Sequence, residues 1–165
     1  MGLRDSFDYA TCWSILERIS ATHRLVTFRE LRDDSPAPFC ILRHDVDYSP
    51  AAALRLARGE ASRGIRATYF LLAGTSYYNL LAPEHADFAA ALTNLGHEVG
   101  LHYDVRSFAP FPRAEWPRLL RAQATLLGEL AGQRVTSIAM HQPALHGSDP
   151  FRGEDHGFIN AYDER

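Results

Sequence analysis

Apolar residues recur along this chain in two alternating rhythms, one helical and one extended. Tyr9, Cys12, Trp13, Leu16 and Ile19 share one face at helical spacing, which predicts an amphipathic helix from Phe7 to Ala21. Leu25 to Leu31 is short and ambiguous, and Asp33-Asp34-Ser35-Pro36-Ala37-Pro38 carries the chemistry of a turn. A strand–helix rhythm follows. Phe39–Arg43 predicts a strand, and Ser49-Pro50 supplies the N-cap and first residue of a helix running to Arg63, with Gly64 as its left-handed stop. Ala67–Leu72 predicts a second buried strand, followed by a loop through Gly74–Asn79. A helix is expected from Pro83 to Gly96, with Phe88, Leu92 and Leu95 on one face, then a third strand over His97–His102. Arg113–Ala131 predicts a long helix stopped by Gly132, and Arg134–Met140 a fourth strand.

Repeated strand–helix–strand units imply an α/β fold with a parallel sheet and right-handed crossovers. Whether the sheet is open or bent into a (β/α) barrel, its ligand site belongs at the C-terminal ends of the strands. A full eight-stranded barrel takes about 250 residues, and four or five strands are visible here. The chain is therefore an incomplete barrel, an open sheet or a truncated chain. After Pro143 the sequence becomes polar and Gly-rich, which predicts a long surface loop with a short strand at Phe158–Ala161. One domain over 1–165 is expected, with a helical extension (1–38), a core (39–143) and a loop-rich tail (144–165).

Composition narrows the function classes. At 165 residues and 46% hydrophobic content the chain can bury one core and is short for two. A net charge of −3 with scattered basic residues gives no electrostatic case for nucleic acid. No window approaches the roughly 20 apolar residues of a membrane span. The N-terminus lacks the basic and apolar regions of a secretion signal, so the cytoplasm is the expected location. Cys12 and Cys40 are isolated and lack metal-ligand spacing, as expected of free thiols in a reducing compartment. Nothing here sets an oligomeric state.

The chemistry concentrates where strands end. In Arg43-His44-Asp45-Val46-Asp47 the strand period sends Asp45 and Asp47 to one face and His44 to the other. Two adjacent carboxylates at the end of a buried strand repel each other, and a bound cation or a shared proton relieves this. The third strand ends in His102, with Tyr103 and Asp104 beyond it, and the fourth in His141. Carboxylates and imidazoles from three strands meeting at one rim suit Zn²⁺ or a similar divalent ion. His97 and His102 do not form the metalloprotease signature, because they stand five apart and on a strand. His102, nearer the strand's end, is the one expected at the site, and His97 is expected to pack beneath it. A plainer reading has Asp45 and Asp47 capping the following helix or pairing with Arg43. Tyr77 and Tyr78 sit in a loop over the rim, placed to stack on a sugar ring or to pack.

The ordered set Arg43–Asp47, Ala67-Thr68-Tyr69-Phe70, Gly96–His102 and Met140-His141-Gln142-Pro143 resembles the polysaccharide deacetylase family, the NodB-homology domain of carbohydrate esterase family 4. The resemblance covers roughly residues 39 to 143. It implies a distorted (β/α) barrel that removes N-acetyl groups from amino sugars with a divalent metal, usually Zn²⁺. By the same resemblance Asp45 maps to the general base, Asp47 to a metal ligand and His102 to the first metal histidine. Three departures stand out. Arg106 occupies the place of the second metal histidine, and His141 the place of the arginine that supports the base. The later histidine that acts as general acid has no match, since His146 and His156 lack its surroundings. The third ligand is then His141 as first choice and Asp104 as second, while Arg106 and Tyr77 are expected to touch the carbohydrate. A non-catalytic carbohydrate-binding homologue with a decayed metal site and a different metal-dependent amide hydrolase are the rival readings.

Overall fold

A computed structural model describes residues 8–31, 38–154 and 156–163. Helix α1 (Tyr9–Ser20) starts where the Asp8 carboxylate accepts from the Thr11 amide. The predicted start at Phe7 and the turn over 33–37 lie outside the described residues. The ambiguous segment after α1 forms strand β1 (Arg24–Val26) and a 3-10 turn at Phe28–Glu30, closed by a capping box between Thr27 and Glu30.

The apolar run predicted as one strand over Phe39–Arg43 forms two, β2 (Phe39–Ile41) and β3 (Arg43–Val46). The break at Leu42 has a physical cause, because the chain changes partners there. β2 pairs in parallel with β1, whereas the Leu42 carbonyl already accepts from the Thr68 amide on the other side. Strands β3, β4 (Thr68–Leu72), β5 (Glu98–Tyr103), β6 (Ser137–Met140) and β7 (Ile159–Asn160) then lie side by side in chain order, all parallel. Sequential parallel order is that of a barrel wall. Among the described residues the wall does not close, and β1–β2 remains a separate two-stranded sheet. The architecture is an incomplete (β/α) barrel.

Helices α2 (Pro50–Ala61), α3 (Phe88–Asn94) and α4 (Trp116–Ala131) follow β3, β4 and β5. Ser49 caps α2 by accepting from the Ala52 amide, so neither Asp45 nor Asp47 is needed as a cap. α3 begins at Phe88 rather than Pro83. The Asn79 side chain captures the Leu81 amide, and successive short-range bonds from Ala82, His85 and Phe88 keep the segment in turns. α4 is preceded by a 3-10 turn at Arg113–Glu115, and it stops at Gly132, whose φ of 63° suits glycine.

Strands β4, β5 and β6 are buried along their whole length; β4 reads as a nearly continuous apolar run, while β5 and β6 also bury Glu98, His102 and Ser137. Tyr69, Leu71, Val99, Leu101 and Ile138 join Leu92, Leu120 and Leu127 in the main core. That layer also holds a polar cluster. Glu60 of α2 is fully buried, accepts from the Tyr69 hydroxyl at 2.7 Å and lies 2.6 Å from His44 Nε2. His97 packs beside it, accepting from the Ala67 amide through Nδ1, so its Nε2–H donates to the Ala57 carbonyl. This is the supporting role expected of His97.

The opposite face of the sheet carries the site. At its lower end the 3-10 turn acts as a plug. The Arg29 amide donates to Glu98, which also accepts from Thr68 and Ser137 hydroxyls. Gly100 comes next and then His102. The tail is more ordered than a loop, containing a one-turn helix α5 (Pro143–His146) and β7, which forms within the expected Phe158–Ala161 strand. Asp149 ties it down by accepting from the Tyr103 hydroxyl, the Phe151 amide and the Asn160 side chain. Both cysteines are free, and no helix among the described residues is long and apolar enough to cross a membrane.

Candidate metal centre

Each candidate ligand is positioned by the end of a different strand. Asp47 lies just past β3, whose end is pinned by Tyr78: its hydroxyl donates to the Val46 carbonyl at 2.7 Å and accepts from the Leu72 amide at 3.0 Å. His102 lies in β5, and its Nδ1 is 2.9 Å from the Ala139 carbonyl of β6. A carbonyl can only accept, so Nδ1 carries the hydrogen and Nε2 presents a lone pair to the site. His141 follows β6, its backbone N–H donating to the Tyr103 carbonyl at 2.8 Å.

These placements bring Asp47, His102 and His141 together. His102 Nε2 lies 3.0 Å from His141 Nδ1, and Asp47 Oδ1 lies 3.4 Å and 3.3 Å from those two nitrogens. Four-coordinate zinc with bonds of about 2.0–2.1 Å sets neighbouring ligand atoms roughly 3.4 Å apart, so the spacing fits. Asp47 Oδ1 is buried and accepts no hydrogen bond, which is costly for a carboxylate oxygen and is relieved by a cation. Burial also holds the His102 imidazole below its ordinary pKa, assisted by His141 and opposed by Asp45, the Ala139 carbonyl and Asp47, a direction that favours the neutral form a ligand needs. Among the described residues this is the one Asp/His cluster with metal-binding spacing.

Asp45 stands beside this cluster, its Oδ2 3.9 Å from His102 Nε2. Both its oxygens are held by Arg43 in a fork, Nε to Oδ1 at 2.7 Å and a terminal nitrogen to Oδ2 at 2.8 Å. The pairing with Arg43 weighed from sequence therefore occurs together with the approach to the metal cluster. Arg43 also donates to the Tyr162 hydroxyl at 2.9 Å, and its guanidinium lies over the rings of Tyr162 (4.8 Å) and Phe70 (5.1 Å). Tyr162 was not foreseen. It follows the last strand, and only the fold brings it 119 residues back to Arg43.

Asp104, the second choice as third ligand, lies outside the close Asp47–His102–His141 cluster and is engaged by Arg106. It accepts from the Arg106 backbone amide and side chain, and these bonds hold its carboxyl below the usual range although burial pushes the other way. Arg106 is exposed and paired with Asp104 at 2.6 Å. The two neighbouring tyrosines differ in exposure. Tyr78 is buried and packs, while Tyr77 is 65% exposed and meets Tyr48 edge-to-face at 4.6 Å.

Asp47, Tyr48, Tyr77, Asp104, Arg106 and His141 all line one cup of about 450 Å³, ringed by the ends of four successive strands. A larger cavity of about 530 Å³ lies between α4 and Phe158, but it contains no histidine and is remote from this cluster. No histidine other than His141 lines the cup. His156 packs on Phe151 and faces Glu154.

No protein-family model and no curated protein matches the sequence. Solved structures do match the fold. A mutant of a peptidoglycan deacetylase from Bacillus subtilis superposes with a TM-score of 0.53 at 15% identity, covering 73% of this chain and 56% of that one. A polysaccharide deacetylase from Bacillus cereus gives 0.50 at 18% identity, covering 84% and 58%. A mutant of a family 4 pseudoenzyme with restored activity gives 0.51 at 16% identity, covering 78% and 48%. The chain thus spans about half the length of the structures it matches. With its parallel barrel wall and candidate ligands at the strand ends, the chain has the fold of the carbohydrate esterase family 4 polysaccharide deacetylases, in a divergent form.

Proposed function

We propose that this chain is a metal-dependent hydrolase that removes an N-acetyl group from an amino sugar or related carbohydrate. The observation that carries the proposal is the spacing of Asp47 Oδ1, His102 Nε2 and His141 Nδ1, three donors drawn from three strands with no better partner for the carboxylate oxygen. Two imidazoles and one carboxylate at tetrahedral spacing favour zinc. A divalent ion held there supplies Lewis-acid chemistry, acidifying water and stabilising negative charge on the amide oxygen.

The chain's own groups do the rest. Asp45 takes the proton from the attacking water, and Arg43 aims its carboxylate by gripping both oxygens. The carbohydrate stacks on the exposed rings at the mouth of the cup, Tyr77 above all, with Arg106 beside it. Measuring acetate release from N-acetylglucosamine oligomers, before and after chelation and zinc return, tests this reading. Loss with chelator, recovery with zinc and loss in Asp45→Asn are expected; full activity in Asp45→Asn would sink it.

One observation favours a second reading, a metal and saccharide binder without turnover. Apart from the ligand candidate His141, no imidazole among the described residues lines the cup to protonate the leaving amine. A pseudoenzyme among the structural neighbours, in which a mutant has restored activity, fits that reading. Stoichiometric zinc and saccharide binding with no acetate release would select it.

A further inference from the structure

Gln142 is the one non-glycine residue at positive φ among the described residues, with φ 49° and ψ 54°. Left-handed backbone crowds the Cβ of an ordinary side chain, and glycine or asparagine occupies it more easily. The next residue is Pro143, whose ring drives a preceding residue towards extended backbone. Local preference therefore opposes, on two counts, the conformation that the fold imposes. Strain of this kind persists where surrounding structure holds it, and it concentrates at binding and catalytic sites.

The place of the strain is informative. Gln142 directly follows the ligand candidate His141 and lines the same cup as Asp47, Tyr48, Tyr77 and Arg106. Its side-chain amide makes no hydrogen bond among the described residues, so no internal partner accounts for glutamine at this position. A free amide offers two donors and one acceptor, the complement of a sugar hydroxyl or an acetamido group. Tyr48 and Tyr77, 58% and 65% exposed, supply an apolar surface against which a pyranose ring can lie.

We infer that Gln142 is a substrate-binding residue, held in a strained turn so that its amide hydrogen-bonds a saccharide seated against Tyr48 and Tyr77. The inference rests on the proposed function and names a specificity element for it. Gln142→Gly separates the two components, because glycine relieves the backbone while deleting the amide. Binding of N-acetylglucosamine oligomers to the zinc-loaded full chain is measured by calorimetry, alongside thermal unfolding and zinc affinity. The glycine variant is expected to keep zinc affinity, unfold at the same or a higher temperature, and lose saccharide affinity by about tenfold, as for one polar contact. Gln142→Asn, which suits the turn and keeps an amide, is expected to lose less. A glycine variant that binds saccharide as tightly as wild type overturns this inference alone, and one that unfolds at a lower temperature overturns its strain argument. Wild-type protein that binds no such saccharide overturns the inference together with the proposed function.

Discussion

His102 Nε2 and His141 Nδ1 lie 3.0 Å apart, with the unsatisfied Oδ1 of Asp47 3.3 Å from the His141 nitrogen. The two rings stand perpendicular, and His102 has its hydrogen committed to the Ala139 carbonyl. If these three atoms are a complete protein ligand set, removing His141 leaves two ligands. His141→Ala should lower zinc affinity by more than about 100-fold, beyond what loss of a supporting group costs. Asp104→Asn should leave it within a few-fold. Competition against a chromophoric chelator measures both, and the reverse order would make Asp104 the third ligand.

Arg43 and Asp45 form a fork that Tyr162 braces from the far end of the chain. Arg43→Met strands a carboxylate that is about one-third exposed, and should cost about 1–2 kcal/mol in urea unfolding. Tyr162→Phe removes two hydrogen bonds, one accepted from Arg43 and one donated to the Met140 carbonyl, and should cost roughly 1–3 kcal/mol. If the fork aims the base, both variants should also lower kcat more than they raise KM. An unchanged kcat in Arg43→Met would remove Arg43 from the mechanism.

Gly100 lies beneath His102 on the face that bears the site. A Cβ there would sit 2.5 Å from the Phe70 ring and 2.7 Å from Ser137 Oγ. Phe70 packs against Phe28 and lies under Arg43, so it cannot yield cheaply. Gly100→Ala should destabilise by about 1–3 kcal/mol through overpacking. Thermal unfolding reads the cost, and a neutral result would mean that Phe70 has room to turn.

Burial holds the His97 imidazole below its ordinary pKa, against the opposing effects of the Ala57 carbonyl and Glu60. The unfolded chain then binds a proton near pH 6.5 that the folded chain does not yet accept. Stability should therefore rise with pH through the window below about 6.5 and fall on acidification, at up to about 1.4 kcal/mol per pH unit from this group. His97→Gln should flatten that slope relative to wild type in urea unfolding between pH 5 and 7. An unchanged slope would mean that His97 is already protonated in the folded state.

Much of this was legible in the sequence, for reasons that differ by residue. The β4 strand was readable because burial on both faces makes it a nearly continuous apolar run, and the other strands and the helix stops because Gly64, Gly96 and Gly132 punctuate the strand–helix rhythm. The strand period alone separated His44 from Asp45 and Asp47, and the strand-end rule gathered Asp47, His102 and His141. Other features had no local signal. The split at Leu42 arises from a change of strand partner, and the delayed start of α3 from an Asn79 side chain that competes with the helix for the Leu81 amide. Asp104 stood second to His141 as third ligand, and nothing in the sequence showed that Arg106 would hold it. Tyr162 reaches Arg43 across 119 residues, and the left-handed backbone of Gln142 runs against what Pro143 favours. Periodicity and chain order determined which residues stand at the strand ends. Only tertiary structure, through long-range hydrogen bonds and imposed backbone geometry, decided which of them converge and how they are held.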